Sequence, residues 1–129
     1  MPLRQLDHVL VLTDDLEATK AFYCDALGLE VGERPPLEFP GYWLYLAGVP
    51  CVHVAERAPY EAQAARLGLE VEEAPVDHVA FAGADYEDVV GRLEAAGVQA
   101  VTNTVAGTGL RQLFLTDPNG VRVEVNVPD

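Results

Sequence analysis

The sequence predicts an α+β fold built from two βαβββ modules. Three observations predict it: a repeat that begins at Asp7 and again at Asp77, a strand leading into a helix in each copy, and three short strands after each helix. Laid over one another, DHVLVLTDDLEATKAFYCDALGLEV and DHVAFAGADYEDVVGRLEAAGVQAV share one plan. Each opens on Asp-His-Val and an apolar run, then reaches a polar turn in which Asp15 or Asp85 can cap a helix by accepting backbone N–H bonds. The first helix carries Leu16, Tyr23, Ala26 and Leu27 on its apolar side; the second carries Tyr86, Val89, Val90, Leu93 and Ala96 at helical spacing. Gly28 and Gly97 end them, glycine being the residue that accepts a left-handed C-terminal cap.

The three following strands are expected at 29–34, 42–47 and 51–56 in the first copy and at 98–104, 110–116 and 121–127 in the second. Asp117-Pro118-Asn119-Gly120 is a strong hairpin signal, because Pro presets one turn dihedral and Asn-Gly accepts positive φ; Gly48-Val49-Pro50 is its shorter counterpart. Module one then spans 3–56 and module two 76–127. Between them, 57–75 reads as a linker rich in Ala, Glu and Pro with a short helix near Tyr60 to Leu67, and 1–129 reads as one domain.

Composition narrows the partners. The 21 acidic against 8 basic residues give a formal charge of -13, which repels phosphate backbones and anionic lipid surfaces, so neither nucleic acid nor membrane is expected as a partner. No apolar run approaches the roughly 20 residues that span a bilayer, and Met-Pro-Leu-Arg lacks the apolar core of a secretory signal. A cytoplasmic protein acting on a small molecule is the expectation. Cys24 and Cys51 form no CxxC and are read as small core residues.

Strand parity selects the candidate site. In the last strand Val121, Val123, Val125 and Val127 alternate with Arg122, Glu124 and Asn126, so the valines face the helix and Glu124 faces away. Val52 and Val54 likewise turn His53 away from the helix, and Val9, Val11, Val79 and Phe81 do the same for His8 and His78. All three histidines of the protein then lie on the helix-free faces. His8 and His78 are equivalent at an offset of 70 residues, and His53 matches Glu124 if the second hairpin is two residues longer. Three imidazoles and one carboxylate at two repeat-related pairs of positions point to a divalent metal, and the set suits Zn, Ni, Fe, Mn or Co.

These residues resemble the vicinal oxygen chelate superfamily, which includes glyoxalase I, the bleomycin resistance proteins, the extradiol dioxygenases and the fosfomycin-modifying thiol transferases. The resemblance rests on Asp7-His8-Val9, Phe22-Tyr23 with Leu27-Gly28-Leu29, Trp43-Leu44 before Cys51-Val52-His53-Val54, Asp77-His78-Val79, and Asp117-Pro118-Asn119-Gly120 followed by Glu124. It implies a curved mixed sheet that encloses a metal, with helices on its outer face and ligands at His8, His53, His78 and Glu124. It also implies a homodimer. Glyoxalase I usually has a glutamate at the place matched by His53, whereas the dioxygenases and fosfomycin enzymes complete their site from the places matched by His8, His78 and Glu124.

Three functions follow from the resemblance. The first is a glyoxalase-like lyase or isomerase acting on a small vicinally oxygenated substrate, with Glu124 as both ligand and general base. The second is an extradiol-type dioxygenase with Fe(II) on His8, His78 and Glu124. The third is a drug-binding protein of bleomycin resistance type without catalysis. Tyr45, Arg111, Gln112 and Arg122 are candidate substrate contacts, arginine offering a fork for a carboxylate or phosphate.

Overall fold

The computed structural model describes residues 5–69, 71, 76 and 78–128. β1 (Val9–Thr13) leads into α1 (Leu16–Ala21), which continues as a π-helical turn over Phe22–Ala26. Asp15 caps α1, its carboxylate accepting from the Ala18 amide at 3.0 Å. β2 (Glu30–Gly32), β3 (Gly41–Leu46) and β4 (Val49–Glu56) complete the first module, and α2 (Arg57–Arg66) follows β4 directly. The second module repeats the order with β5 (His78–Ala82), α3 (Tyr86–Ala95), β6 (Val101–Thr104), β7 (Arg111–Thr116) and β8 (Arg122–Val127). Gly28 and Gly97 take positive φ, 82° and 69°, at the ends of the two helical segments as expected.

Each module is a four-stranded mixed sheet, ordered β1-β4-β3-β2 and β5-β8-β7-β6, in which only the β1–β4 and β5–β8 pairs are parallel. Among the described residues no backbone ladder joins the two sheets, so the curved enclosure is open rather than closed. Two details depart from the sequence reading. Pro50 lies inside β4, because the turn is made by Ala47 and Gly48, both at positive φ. α2 also starts three residues before the expected helix, immediately after β4.

The helix-bearing faces hold the core. Val11, Leu44, Val52 and Val54 from the first sheet and Leu113, Leu115, Val123, Val125 and Val127 from the second share one apolar cluster with Phe22, Tyr23, Ala26, Leu29 and Leu93. Polar bonds fasten the second hairpin to the first helix: Tyr23 donates to Asp117 Oδ2 at 2.9 Å, and Asn119 Nδ2 donates to the Thr19 hydroxyl at 2.9 Å. α1 therefore belongs energetically to both modules.

β3 and β4 approach so closely at Gly41 that a β-carbon there would lie 2.1 Å from the Val54 carbonyl oxygen. Backbone, not a movable side chain, is the obstacle. Gly41→Ala is expected to cost about 3 kcal/mol by forcing the strands apart, read as a fall of roughly 10 °C in Tm. An unchanged melting temperature would show that the strands separate there at no cost.

Candidate functional site

The strand registers establish which residues share the helix-free faces. Leu10 pairs with His53 across β1–β4, and Ala80 pairs with Glu124 across β5–β8, so His53 and Glu124 occupy equivalent places. Trp43 lies opposite His53 and Phe114 opposite Glu124, with the same span of chain between them in both modules. The equivalence thus needs no longer second hairpin, because a register shift between Leu44 and Leu46 takes up the difference in turn length.

His8, just before β1, and His78, at the start of β5, line one cleft of 470 Å³ between the two modules. Leu6, Val9, Val76, Val79 and Phe81 make most of the rest of its wall apolar, and Cys51 is also on it. His8 Nδ1 is 2.7 Å from the Asp7 carboxylate, which orients the ring and leaves Nε2 as the outward nitrogen. The corresponding Asp77 lies outside the described residues. Glu124 stands one strand over and two residues along from His78 on the same face, about 8 Å between Cα atoms by strand geometry. Asn126 Nδ2 donates to its Oε2 at 2.9 Å and Gln112 Nε2 reaches its Oε1 at 3.4 Å, while Asn103 donates to Gln112. The sequence reading placed Asn126 on the Glu124 face and named Gln112 as a candidate substrate contact, but passed over Asn103, which lies opposite Gln112.

His53 is only 9% exposed and is held between two rings. It stacks on His8, with centroids 3.8 Å apart and planes at 11°, and on Trp43 at 4.2 Å and 11°. Its Nε2 donates to the Pro50 carbonyl at 3.0 Å. Burial, reinforced by the neighbouring His8, pushes its pKa below the ordinary histidine value, the Pro50 bond opposing. The stack also bears on coordination. An imidazole binds a metal in its own ring plane at about 2.1 Å, and two nearly parallel, offset planes cannot both contain one ion. As arranged, His8 and His53 do not converge on a shared cation.

Among the described residues no three His, Cys, Asp or Glu side chains converge as a finished metal cluster. His8, His78 and Glu124 nevertheless fit a divalent ion chemically: two imidazoles facing one cleft, one of them backed by a carboxylate, and a carboxylate braced by two amides.

The remaining sequence candidates fall in different places. Tyr45 shares the His53 face, donates to the Glu33 carbonyl at 2.7 Å, and packs against Gly32. Arg122 shares the Glu124 face. Arg111 does not: alternation along β7 puts it with Leu113 and Leu115 on the helix side, where its guanidinium lies 3.9 Å over the Tyr86 ring. That placement takes it away from Glu124. Cys24 and Cys51 are both free thiols, and burial raises the Cys24 pKa.

Paired βαβββ modules define a class of proteins by their fold, and comparison with known proteins agrees with that fold. Residues 5–125 match the family model of the Glyoxalase/Bleomycin resistance protein/Dioxygenase superfamily, and the chain belongs to that superfamily. It is 28% identical over 124 residues to YaeR of Escherichia coli (strain K12), covering 95% of each chain. In fold it is similar to lactoylglutathione lyase from Agrobacterium tumefaciens, with TM-score 0.72, 20% identity and 98% and 96% of the two chains covered. It is likewise similar to the fosfomycin resistance protein FosX from Listeria monocytogenes, with TM-score 0.71, 17% identity and 98% and 95% covered. No described helix is long and apolar enough to cross a membrane.

Proposed function

We propose that the chain is a divalent-metal-dependent enzyme of glyoxalase type, a lyase or isomerase acting on a small vicinally oxygenated substrate. The observation that carries this is the apolar cleft onto which His8 and His78 both open, with Glu124 two residues along the adjacent strand. His8, His78 and Glu124 would hold the ion, which supplies Lewis acidity toward two neighbouring substrate oxygens. Glu124 then takes the proton from the carbon beside the substrate carbonyl and returns it at the neighbouring atom. Asn126 and Gln112 hold that carboxylate in place for both transfers. Val9, Val79 and Phe81 make the inner wall of the cleft apolar, which strengthens charge stabilisation beside them.

His53 stands outside the ligand set in this reading, a neutral ring that forms the wall between His8 and Trp43. The stack also favours one alternative, because two histidines and one carboxylate form the triad of non-haem iron oxygenases. Catechol-dependent oxygen uptake separates that reading from isomerisation.

The test is metal content after purification and reconstitution. His8→Ala and His78→Ala are expected to lose at least tenfold in metal affinity, whereas His53→Ala keeps near-stoichiometric metal. A wild-type protein that takes up no divalent ion sinks the enzyme reading and leaves ligand binding in its place. We also propose a homodimer, since Leu6, 87% exposed at the cleft mouth, leaves apolar surface for a second copy to cover. Sedimentation of the same samples as monomer would refute it.

A further inference from the structure

Lys20, Arg57, Arg66 and Arg92 each pair with a carboxylate, and Arg111 covers Tyr86. Arg34 has no carboxylate partner among the described residues. Its Nη2 donates to the Phe39 carbonyl at 2.7 Å, and its guanidinium carbon lies 5.2 Å from the Phe39 ring centroid. The same Nη2 lies 3.1 Å from where a Gly41 β-carbon would stand, so the guanidinium rests against the start of β3. Its Nε, like that of Arg111, is buried with no acceptor among the described residues. A buried N–H without a partner is a cost to the fold.

Arg34 also borders a cavity of 440 Å³, with Glu33, Pro35, Trp43 and Tyr45 as its other lining residues. Trp43 also belongs to the row of rings that runs through His53 to His8, so the row connects the cavity with the His8 side of the cleft. Gly41, beneath the guanidinium, is one strand over and two residues along from His53, about 8 Å by strand geometry.

We propose that Arg34 is an anion anchor, and that the substrate carries a carboxylate on a planar or apolar body that lies along Trp43 while its vicinal oxygens face His8 and His78. The inference rests on the reading of that face as the active site. A carboxylate is favoured over a phosphate because one guanidinium, with an Nη already donating to Phe39, matches one negative charge, and Glu33 on the cavity wall would repel a second. In a chain of net charge -13, a cation with no carboxylate partner among the described residues selects for an anionic group that the rest of the surface repels.

Trp43 is the sole tryptophan of the chain, so its fluorescence reports on this cavity. The metal-free and metal-loaded full-length protein would each be titrated with dihydrocaffeate, its methyl ester and catechol, with calorimetry alongside. Wild type is expected to bind the acid about tenfold tighter than the ester, with or without metal. Arg34→Gln should bring the acid down to the level of the ester and leave the ester unchanged, and Arg34→Lys should keep an intermediate preference. Equal binding of acid and ester by wild type overturns the anchor, as does a preference that survives in Arg34→Gln or a loss shared equally by both ligands. Failure of the metal reading looks different: the acid preference stays in the metal-free protein while loading with metal leaves catechol affinity unchanged.

Discussion

Glu124→Gln is expected to lower turnover about a thousandfold while the protein keeps its metal. The amide preserves size and can still accept from Asn126 or Gln112, but it cannot take a proton at neutral pH. The two imidazoles remain to hold the ion, so loss of activity and loss of metal separate. A direct measurement is proton exchange into dihydroxyacetone in heavy water, followed by magnetic resonance, with metal content determined on the same samples. Full exchange activity in Glu124→Gln would remove Glu124 from the role of base. Loss of metal together with activity would show that Glu124 is needed to hold the ion.

Asp117→Ala is expected to cost about 4 kcal/mol of folding free energy. This carboxylate, 4% exposed, accepts from the Tyr23 hydroxyl at 2.9 Å, the Asn119 amide at 2.8 Å and the Val121 amide at 2.9 Å. All three donors lose their partner together, and one of them comes from the other module. Tyr23→Phe removes one bond and leaves the two amides in place, so about 2 kcal/mol is expected at neutral pH. The pH dependence distinguishes this contact from simple packing. Burial, and then the Asp117 charge, push the Tyr23 phenol far above its ordinary value. A group whose folded pKa is raised stabilises fully below its unfolded pKa, about 10 for tyrosine, and that contribution is lost as pH rises toward the folded value. Above roughly pH 10 the wild type should therefore lose up to ~1.4 kcal/mol per pH unit that Tyr23→Phe does not lose. Urea denaturation of both proteins across that range measures it, and parallel curves would refute the assignment.

Much of the site was legible in the sequence because period-two alternation is a local property. Once Val123, Val125 and Val127 face the helix, Glu124 must face away, and Val52 and Val54 do the same for His53. The repeat of Asp-His-Val then aligned His8 with His78 without any structure. Arg111 was also legible in principle, since it alternates in phase with the buried Leu113 and Leu115, which marks it for the helix side. The bracing of Glu124 was half visible: Gln112 and Asn126 share its parity, but which amide reaches which oxygen depends on the register of β7 against β8.

Other features had no local signal. Arg34 reads as the end of the strand expected at 29–34, whereas β2 stops at Gly32, and the approach of its guanidinium to Gly41 is a contact with another element that no local pattern announces. Asp117 reads as a turn residue, and its bond to Tyr23 joins positions 94 apart in the chain. The His8–His53–Trp43 stack needs β1, β4 and β3 side by side in one register. By itself the sequence determined the two βαβββ modules, the face of each strand and the superfamily, because repetition, alternation and turn chemistry are written in neighbouring residues. Only the tertiary structure decided that no ladder joins the two sheets among the described residues, that the rings of His8 and His53 lie parallel, and that Arg34 borders the cavity beside Trp43. Those outcomes depend on register, sheet curvature and side-chain rotamers, which come from contacts between residues far apart in the chain.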